Sequence, residues 1–210
     1  KAGSFGDMSI LSFAGNKVLT TGEGGAVLVN SKKLYEKLKL IRSHGRQINS
    51  NYFQTTKTPN YISLGYNWRM SSITAALGIS QLRKLETLIS KRRKNSIYLS
   101  SKLKKCSEIT LPLDYKNHKN VFQLYTIRIR GKNLRNNLMK FLEKRGIMSK
   151  IFFEPVHLSK FYSKNMNKKI SLPVTEKISQ QVLTLPMYPS LTKNEINFIS
   201  DTINEFFETL

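Results

Sequence analysis

The chain has few acids and almost no cysteine. Only 13 of its 210 residues are Asp or Glu, against 35 Lys and Arg, which leaves a formal charge of +22. A single cysteine, Cys106, excludes an internal disulfide framework and suits a reducing compartment. No apolar run approaches the roughly 18 residues of a membrane span, and no secretory leader opens the chain. The reading is a soluble, cytoplasmic protein. Three scattered histidines, His44, His118 and His157, give no metal-ligand spacing even with Cys106 added. There is no Gly-x-Ser-x-Gly elbow, no phosphate-binding P-loop and no internal repeat.

An excess of positive charge ordinarily points to nucleic acid. Here the cations are spread along the chain, and the densest run, Lys91-Arg92-Arg93-Lys94, falls inside a long helical pattern, where a solvated face explains it. RNA-binding aromatic signatures, zinc-finger spacing and basic-zipper heptads are all missing. A basic surface also suits a diphosphate-bearing substrate, by steering.

What is present is a core's worth of apolar residues, 40% of the chain, arranged in alternating elements. Met8 to Phe13 and Ala26-Val27-Leu28-Val29 read as buried strands. Ser31 to Ile41 reads as a helix with Leu34, Leu38 and Ile41 on one face, and Arg46 to Pro59 as a polar loop. Ser71 or Ser72 can cap a long helix, because a serine oxygen accepts from an unpaired N–H of the first turn. Its stripe is Ile73, Ala76, Leu77, Leu85, Leu88 and Ile89, and it can continue through Leu99 and Leu103. A domain boundary is expected inside it, giving residues 1–92 and 93–210. Beyond come a strand (Val121 to Ile129), a helix (Leu134 to Lys144), a left-handed glycine (Gly146) and a strand (Ile147 to Phe153). A proline-led helix (Pro173 to Val182) follows. Thr192 to Glu195 has the spacing of a capping box for the last helix, through Phe206. Strands separated by such helices predict a small α+β domain at the C-terminal end.

One lysine stands apart from this pattern. Lys17 lies between the first strand, which ends at Ser12-Phe13, and the cluster Thr20-Thr21-Gly22-Glu23-Gly24-Gly25. A lysine in such a connection can be desolvated toward the neutral amine that attacks a carbonyl, while glycines let the backbone approach a flat cofactor. A solvated surface lysine fits the same position.

Gly3-Ser4-Phe5-Gly6-Asp7, Ser12-Phe13, Asn16-Lys17 and Thr21-Gly22-Glu23-Gly24-Gly25 together resemble the lysine region of the DegT/StrS-type nucleotide-sugar aminotransferases. The likeness continues, in the family's order, through Arg42-Ser43-His44-Gly45, Leu64-Gly65-Tyr66-Asn67-Trp68-Arg69-Met70, Ala75-Ala76-Leu77-Gly78 and Gln81-Leu82. Glu154-Pro155-Val156-His157, Leu172-Pro173-Val174-Thr175-Glu176 and Leu185-Pro186-Met187-Tyr188-Pro189 complete it. The wording around Lys17 is most like the branch that aminates a 4-keto group on a GDP-linked sugar.

The resemblance implies an α/β fold: the C-terminal part of the aspartate-aminotransferase-like architecture, with the end of a large cofactor-binding domain followed by a small α+β domain. It implies pyridoxal 5'-phosphate (PLP) as cofactor and a keto group on a nucleotide-linked deoxysugar as acceptor, with glutamate as amino donor. The products of such enzymes feed polysaccharide assembly. Lys17 is then the covalent anchor and proton shuttle; relatives with histidine there are dehydratases. Ser12 matches the serine that donates to the cofactor phosphate. Asn67 and Arg69 match a segment reaching a neighbouring subunit's site, which implies a homodimer. His157 matches a loop directed at the sugar nucleotide; His44 is expected behind the site and His118 in solvent. Glu23 receives no chemical role. Lys1 is not an initiator methionine, and the acid pairing with the pyridinium nitrogen, the ring-stacking aromatic and a phosphate-binding turn are expected upstream of it. Two further readings stay open: a keto-cyclitol aminotransferase, and a non-catalytic dimerisation or sensor module. A basic nucleic-acid-binding domain is the weakest alternative.

Overall fold

The computed structural model describes residues 1–47, 56, 58–131, 133–165 and 170–210. The expected loop from Arg46 to Pro59 lies largely outside them. The chain divides into two compact units, Lys1–Leu85 and Glu86–Leu210. The division falls inside a helix, between Leu85 and Glu86.

In the first unit, β1 (Met8–Ser12) pairs antiparallel with β2 (Gly25–Val29), with Met8 opposite Val29 and Ser12 opposite Gly25. α1 (Lys32–Arg42) follows. Ser31 caps it by accepting the Leu34 N–H, and Lys39 and Arg42 place positive charge on its C-terminal turn. α2 (Ser72–Leu103) begins after Ser71, whose Oγ accepts the Thr74 N–H at 3.1 Å. The helix runs unbroken to Leu103.

The expectation of buried strands at Met8–Phe13 and Ala26–Val29 is overturned. Ile10 is 83% exposed, and Leu11, Val27 and Leu28 are exposed too. The two strands form a two-stranded sheet of their own, so their apolar side chains have no facing layer among the described residues. The α2 stripe is likewise buried only in part: Ile73 and Leu77 are exposed, Leu85 and Leu88 half-buried, and Ile89 buried.

The second unit holds the hydrophobic core. Its sheet has the order β3-β4-β5, from β3 (Ile109–Thr110), β4 (Tyr125–Ile129) and β5 (Val182–Leu185), all antiparallel. β4 is central and alternates: Tyr125, Ile127 and Ile129 are buried, Thr126 and Arg128 half-buried. Against the buried side chains pack Leu99 and Leu103 of α2 and Leu138 and Leu142 of α3 (Leu134–Lys144). Ile196, Ile199, Ile203 and Phe206 of α6 (Lys193–Glu208) complete the core, at the spacing that puts one helix face inward.

Several boundaries agree with the sequence because a side chain or a glycine sets them. Thr192 and Glu195 form the full capping box. Gly146, at φ +75°, ends α3: its N–H reaches the Glu143 carbonyl, and Ile147 N–H reaches the Leu142 carbonyl. That is the Schellman arrangement, with Ile147 and Leu142 both buried.

Others differ. Ile147–Phe153 is not a strand; Lys150 alone exchanges backbone hydrogen bonds with Thr184, and no ladder continues. Alternation specifies extended backbone but supplies no partner. α5 (Pro173–Ser179) keeps its proline-led start but stops before Val182, which opens β5 instead. β4 starts after Phe122, whose positive φ of 46° interrupts the expected strand. A short 3-10 turn (Val156–Leu158) and α4 (Lys160–Asn165) lie between Lys150 and α5. No helix among the described residues is long and apolar enough to cross a membrane.

Candidate active site

The connection between β1 and β2 carries Lys17, and polar bonds at its base hold its shape. The Phe13 N–H donates to the Gly24 carbonyl at 2.8 Å, one step beyond the strand ladder. The Phe13 carbonyl in turn accepts from the Thr21 N–H at 2.9 Å and the Thr20 hydroxyl at 3.1 Å. Thr21, buried, donates its hydroxyl to the Glu23 carbonyl at 2.7 Å, and Thr20 Oγ1 accepts the Gly22 N–H. Inside this clasp the Lys17 N–H closes a turn on the Ala14 carbonyl at 3.0 Å. The loop is ordered by backbone and threonine bonds rather than by a core. Gly24 must be small here, since a Cβ on it would stand 2.6 Å from Thr21 Oγ1 and 3.0 Å from Met70 Cε.

Lys17 is half-buried, and among the described residues its ammonium has no ion pair or hydrogen bond. Ser12, the last residue of β1, is exposed; its Oγ accepts the Ala14 N–H at 3.4 Å, which leaves the O–H to donate elsewhere. A primary amine with no ion pair among the described residues, and a hydroxyl donor five residues before it on the same connection, suits an aldehyde cofactor bearing a phosphate.

A second segment, Leu64 to Met70, runs beside the C-terminal end of α1. Tyr66 N–H donates to the Ile41 carbonyl, Trp68 N–H to that of Arg42 at 3.0 Å, and His44 N–H to that of Tyr66 at 3.0 Å. Alternate residues of an extended segment face opposite ways. Tyr66 and Trp68 stack with centroids 4.3 Å apart, while Arg69 Nε donates to Asn67 Oδ1 at 3.3 Å. Asn67 and Arg69 thus form one exposed polar pair on the turn before α2. Met70 Cε would meet a Cβ on Gly24 at 3.0 Å, so Met70 lies beside the lysine connection. Among the described residues, however, no hydrogen bond joins Asn67 or Arg69 to Lys17 or Ser12.

His44 is exposed, and the hydrogen bond it makes to this segment comes from its backbone. His118 is exposed, as expected. His157 belongs to the second unit. Its side chain is only 8% exposed, and Nε2 lies 3.1 Å from Glu176 Oε1 on α5. Sequence reasoning gave Glu176 no role. The signal was its place four residues after Leu172 at a proline-led helix start, where its carboxylate accepts the Leu172 N–H at 2.8 Å. Thr20 and Thr21 were also passed over, as part of a glycine-rich phrase.

Residues 1–204 match the model of the DegT/DnrJ/EryC1/StrS aminotransferase family. The chain is 32% identical over 208 residues to GDP-perosamine synthase of Escherichia coli O157:H7, covering 98% of this chain and 53% of that one. It is 32% identical over 213 residues to UDP-4-amino-4,6-dideoxy-N-acetyl-beta-L-altrosamine transaminase of Campylobacter jejuni, covering 99% and 54%. Among solved structures, Helicobacter pylori PseC, an aminotransferase involved in the biosynthesis of pseudoaminic acid, superposes with a TM-score of 0.90. That likeness has 30% identity and covers all of this chain and 56% of that one. The chain therefore spans about half the length of the curated relatives it matches.

Proposed function

This chain belongs to the DegT/DnrJ/EryC1/StrS aminotransferase family, and from that premise we propose that it is the C-terminal part of a PLP-dependent nucleotide-sugar aminotransferase. It would move an amino group from glutamate to a keto group on a nucleotide-linked deoxysugar, with GDP-4-keto-6-deoxymannose the favoured acceptor. The observation that carries this reading is Lys17, half-buried on a clasped connection and without an ion pair among the described residues. A lysine that must form a carbonyl adduct cannot be tied up in a salt bridge.

The residues present fit the cofactor in part. Lys17 Nζ would hold it covalently and, once released, take and return the proton moved in amino transfer. The Ser12 O–H would donate to a phosphate oxygen. Bound PLP supplies an electron-poor ring that withdraws charge from the carbon losing its proton. Asn67 and Arg69, exposed and paired, would serve the phosphate region of a second subunit's site, which makes the working unit a homodimer. The pyridinium-pairing acid is assigned to polypeptide preceding Lys1. On this reading residues 1–92 close the large cofactor-binding domain and residues 93–210 form the small domain, in the cytoplasm.

Support for the GDP-linked acceptor comes from the E. coli relative. The test is amino transfer by the complete polypeptide from glutamate to GDP-linked and UDP-linked 4-keto-6-deoxy sugars, read by mass spectrometry. Amination of the GDP sugar is expected. Preference for the UDP sugar would overturn the acceptor, and transfer to neither would overturn the function.

A further inference from the structure

The geometry points to Glu176 as a positioning residue that fixes the proton on His157 Nε2, so that Nδ1 accepts a hydrogen bond from a hydroxyl of the sugar nucleotide. This rests on the proposed function for its ligand, but not for its geometry. Two segments of the second unit face each other here. Phe152, Phe153 and Pro155, together with Val174, Thr175 and Ile178 of α5, line a pocket of about 400 Å3. His157 follows the first segment and Glu176 lies on the second, so their bond at 3.1 Å ties the two segments together.

The direction of that bond can be worked out. Glu176 Oε1 already accepts from the Leu172 N–H at 2.8 Å, and a backbone N–H can only donate. A carboxylate oxygen used in that way accepts again from the imidazole, which puts the hydrogen on Nε2. In a neutral imidazole the other nitrogen is then an acceptor. His157 Nδ1 has no partner among the described residues. It suits a ligand group that carries a hydrogen, such as a sugar hydroxyl. It does not suit a diphosphate oxygen, which has no proton to give at neutral pH. His157 thereby reads the sugar and not the diphosphate.

The test has two independent readouts. In the full chain, imidazole 15N shifts should show the Nε2–H form of His157 for the parent and for Glu176→Gln, whose amide oxygen can still accept. Glu176→Ala should show a mixture of tautomers. In the complete enzyme, Glu176→Ala should raise KM for the nucleotide sugar about tenfold, the scale of one lost hydrogen bond, with KM for glutamate moving less than about twofold. Glu176→Gln should restore most of the loss, and its helix-capping bond guards against a variant that simply misfolds. An Nδ1–H form in the parent would overturn the proposal. So would equal changes in both KM values, or no change in either, in a folded Glu176→Ala enzyme. If the parent aminates no nucleotide sugar, the functional reading fails, while the tautomer still decides the role of Glu176.

Discussion

Gly65 lies against the backbone of Gly45 so closely that a Cβ on Gly65 would overlap the Gly45 nitrogen. Gly45 is itself at φ +71°, and a Cβ there would overlap the Ser63 carbonyl. This pair of glycines docks the segment bearing Asn67 and Arg69 onto the end of α1. Gly45→Ala and Gly65→Ala should each cost about 3 kcal/mol or more, since backbone, not a flexible side chain, must move. Gly22→Ala is the control: at φ +80° it is strained, but nothing lies within 4 Å, so its cost should stay near 1 to 2 kcal/mol. Denaturant midpoints of the complete protein give the comparison.

The sequence carries some of this plainly and some not at all. Caps and stops were legible because they are local: Ser71, the Thr192–Glu195 box and Gly146 act within four residues. Lys17 and Ser12 stand out as candidates because their phrase is unusual in this chain. The docking of Gly65 on Gly45 was not legible, because it depends on two backbones meeting from distant positions. The pairing of His157 with Glu176 was hidden for the same reason. β5 was missed because Val182–Leu185 is short and continues an apolar helical phrase; only its register with Tyr125–Arg128 identifies it. The exposure of β1 and β2 was misjudged because apolar content reports what wants covering, not what covers it.

The covalent anchor is the most direct test of the site. Borohydride reduction of the complete holoenzyme should fix PLP on the peptide containing Lys17. Label on another lysine would end the assignment. Lys17→Ala should lower turnover at least about a thousandfold, the combined loss of covalent and proton-transfer roles, with an unchanged melting temperature.

Sharing of sites between subunits can be read by complementation. Lys17→Ala and Asn67→Ala enzymes, each inactive, should regain part of the parent activity when mixed and reassembled as hybrid dimers. Arg69→Ala should behave like Asn67→Ala, because the two side chains are hydrogen-bonded on one exposed face. Heterodimers that form without activity would show that each subunit builds its own site.

Acid stability of the second unit should depend on α6. Hydrogen bonds from the Thr192 backbone and hydroxyl hold the Glu195 carboxyl below the usual glutamate range, and the Arg145 guanidinium does the same for Glu205. A depressed value means stability that is present above the unfolded-state value and lost as pH falls through the folded one. The denaturation midpoint should therefore drop on the acid side, beginning as pH falls into the ordinary glutamate range and ending below it. Glu195→Gln and Glu205→Gln should flatten that limb and leave the neutral limb less stable. Thr192→Ala should cost about 1 kcal/mol at neutral pH, the usual loss of an N-cap. A limb unchanged in both glutamine variants would refute the assignment.

The 210-residue chain expressed alone should not assemble a working PLP site. Among its described residues the first unit buries only Thr21, Ser43 and Gly45, and leaves Ile10 and Ile73 more than 80% exposed. Its lysine connection is held by a few polar bonds, each worth about 1 kcal/mol net, with no apolar core behind it. The second unit differs. Its sheet buries Tyr125, Ile127, Ile129, Leu183 and Leu185 against three helices, enough to expect residues 86–210 to fold alone. A PLP titration should give weak, non-saturating absorbance changes, since a lysine outside a complete site forms only an exchangeable adduct. Glutamate should then produce no pyridoxamine phosphate. The 86–210 fragment should unfold in one cooperative transition. Stoichiometric PLP binding with conversion by glutamate would show that Lys17 and its neighbours suffice without the upstream acid, and the proposed division of labour would fall.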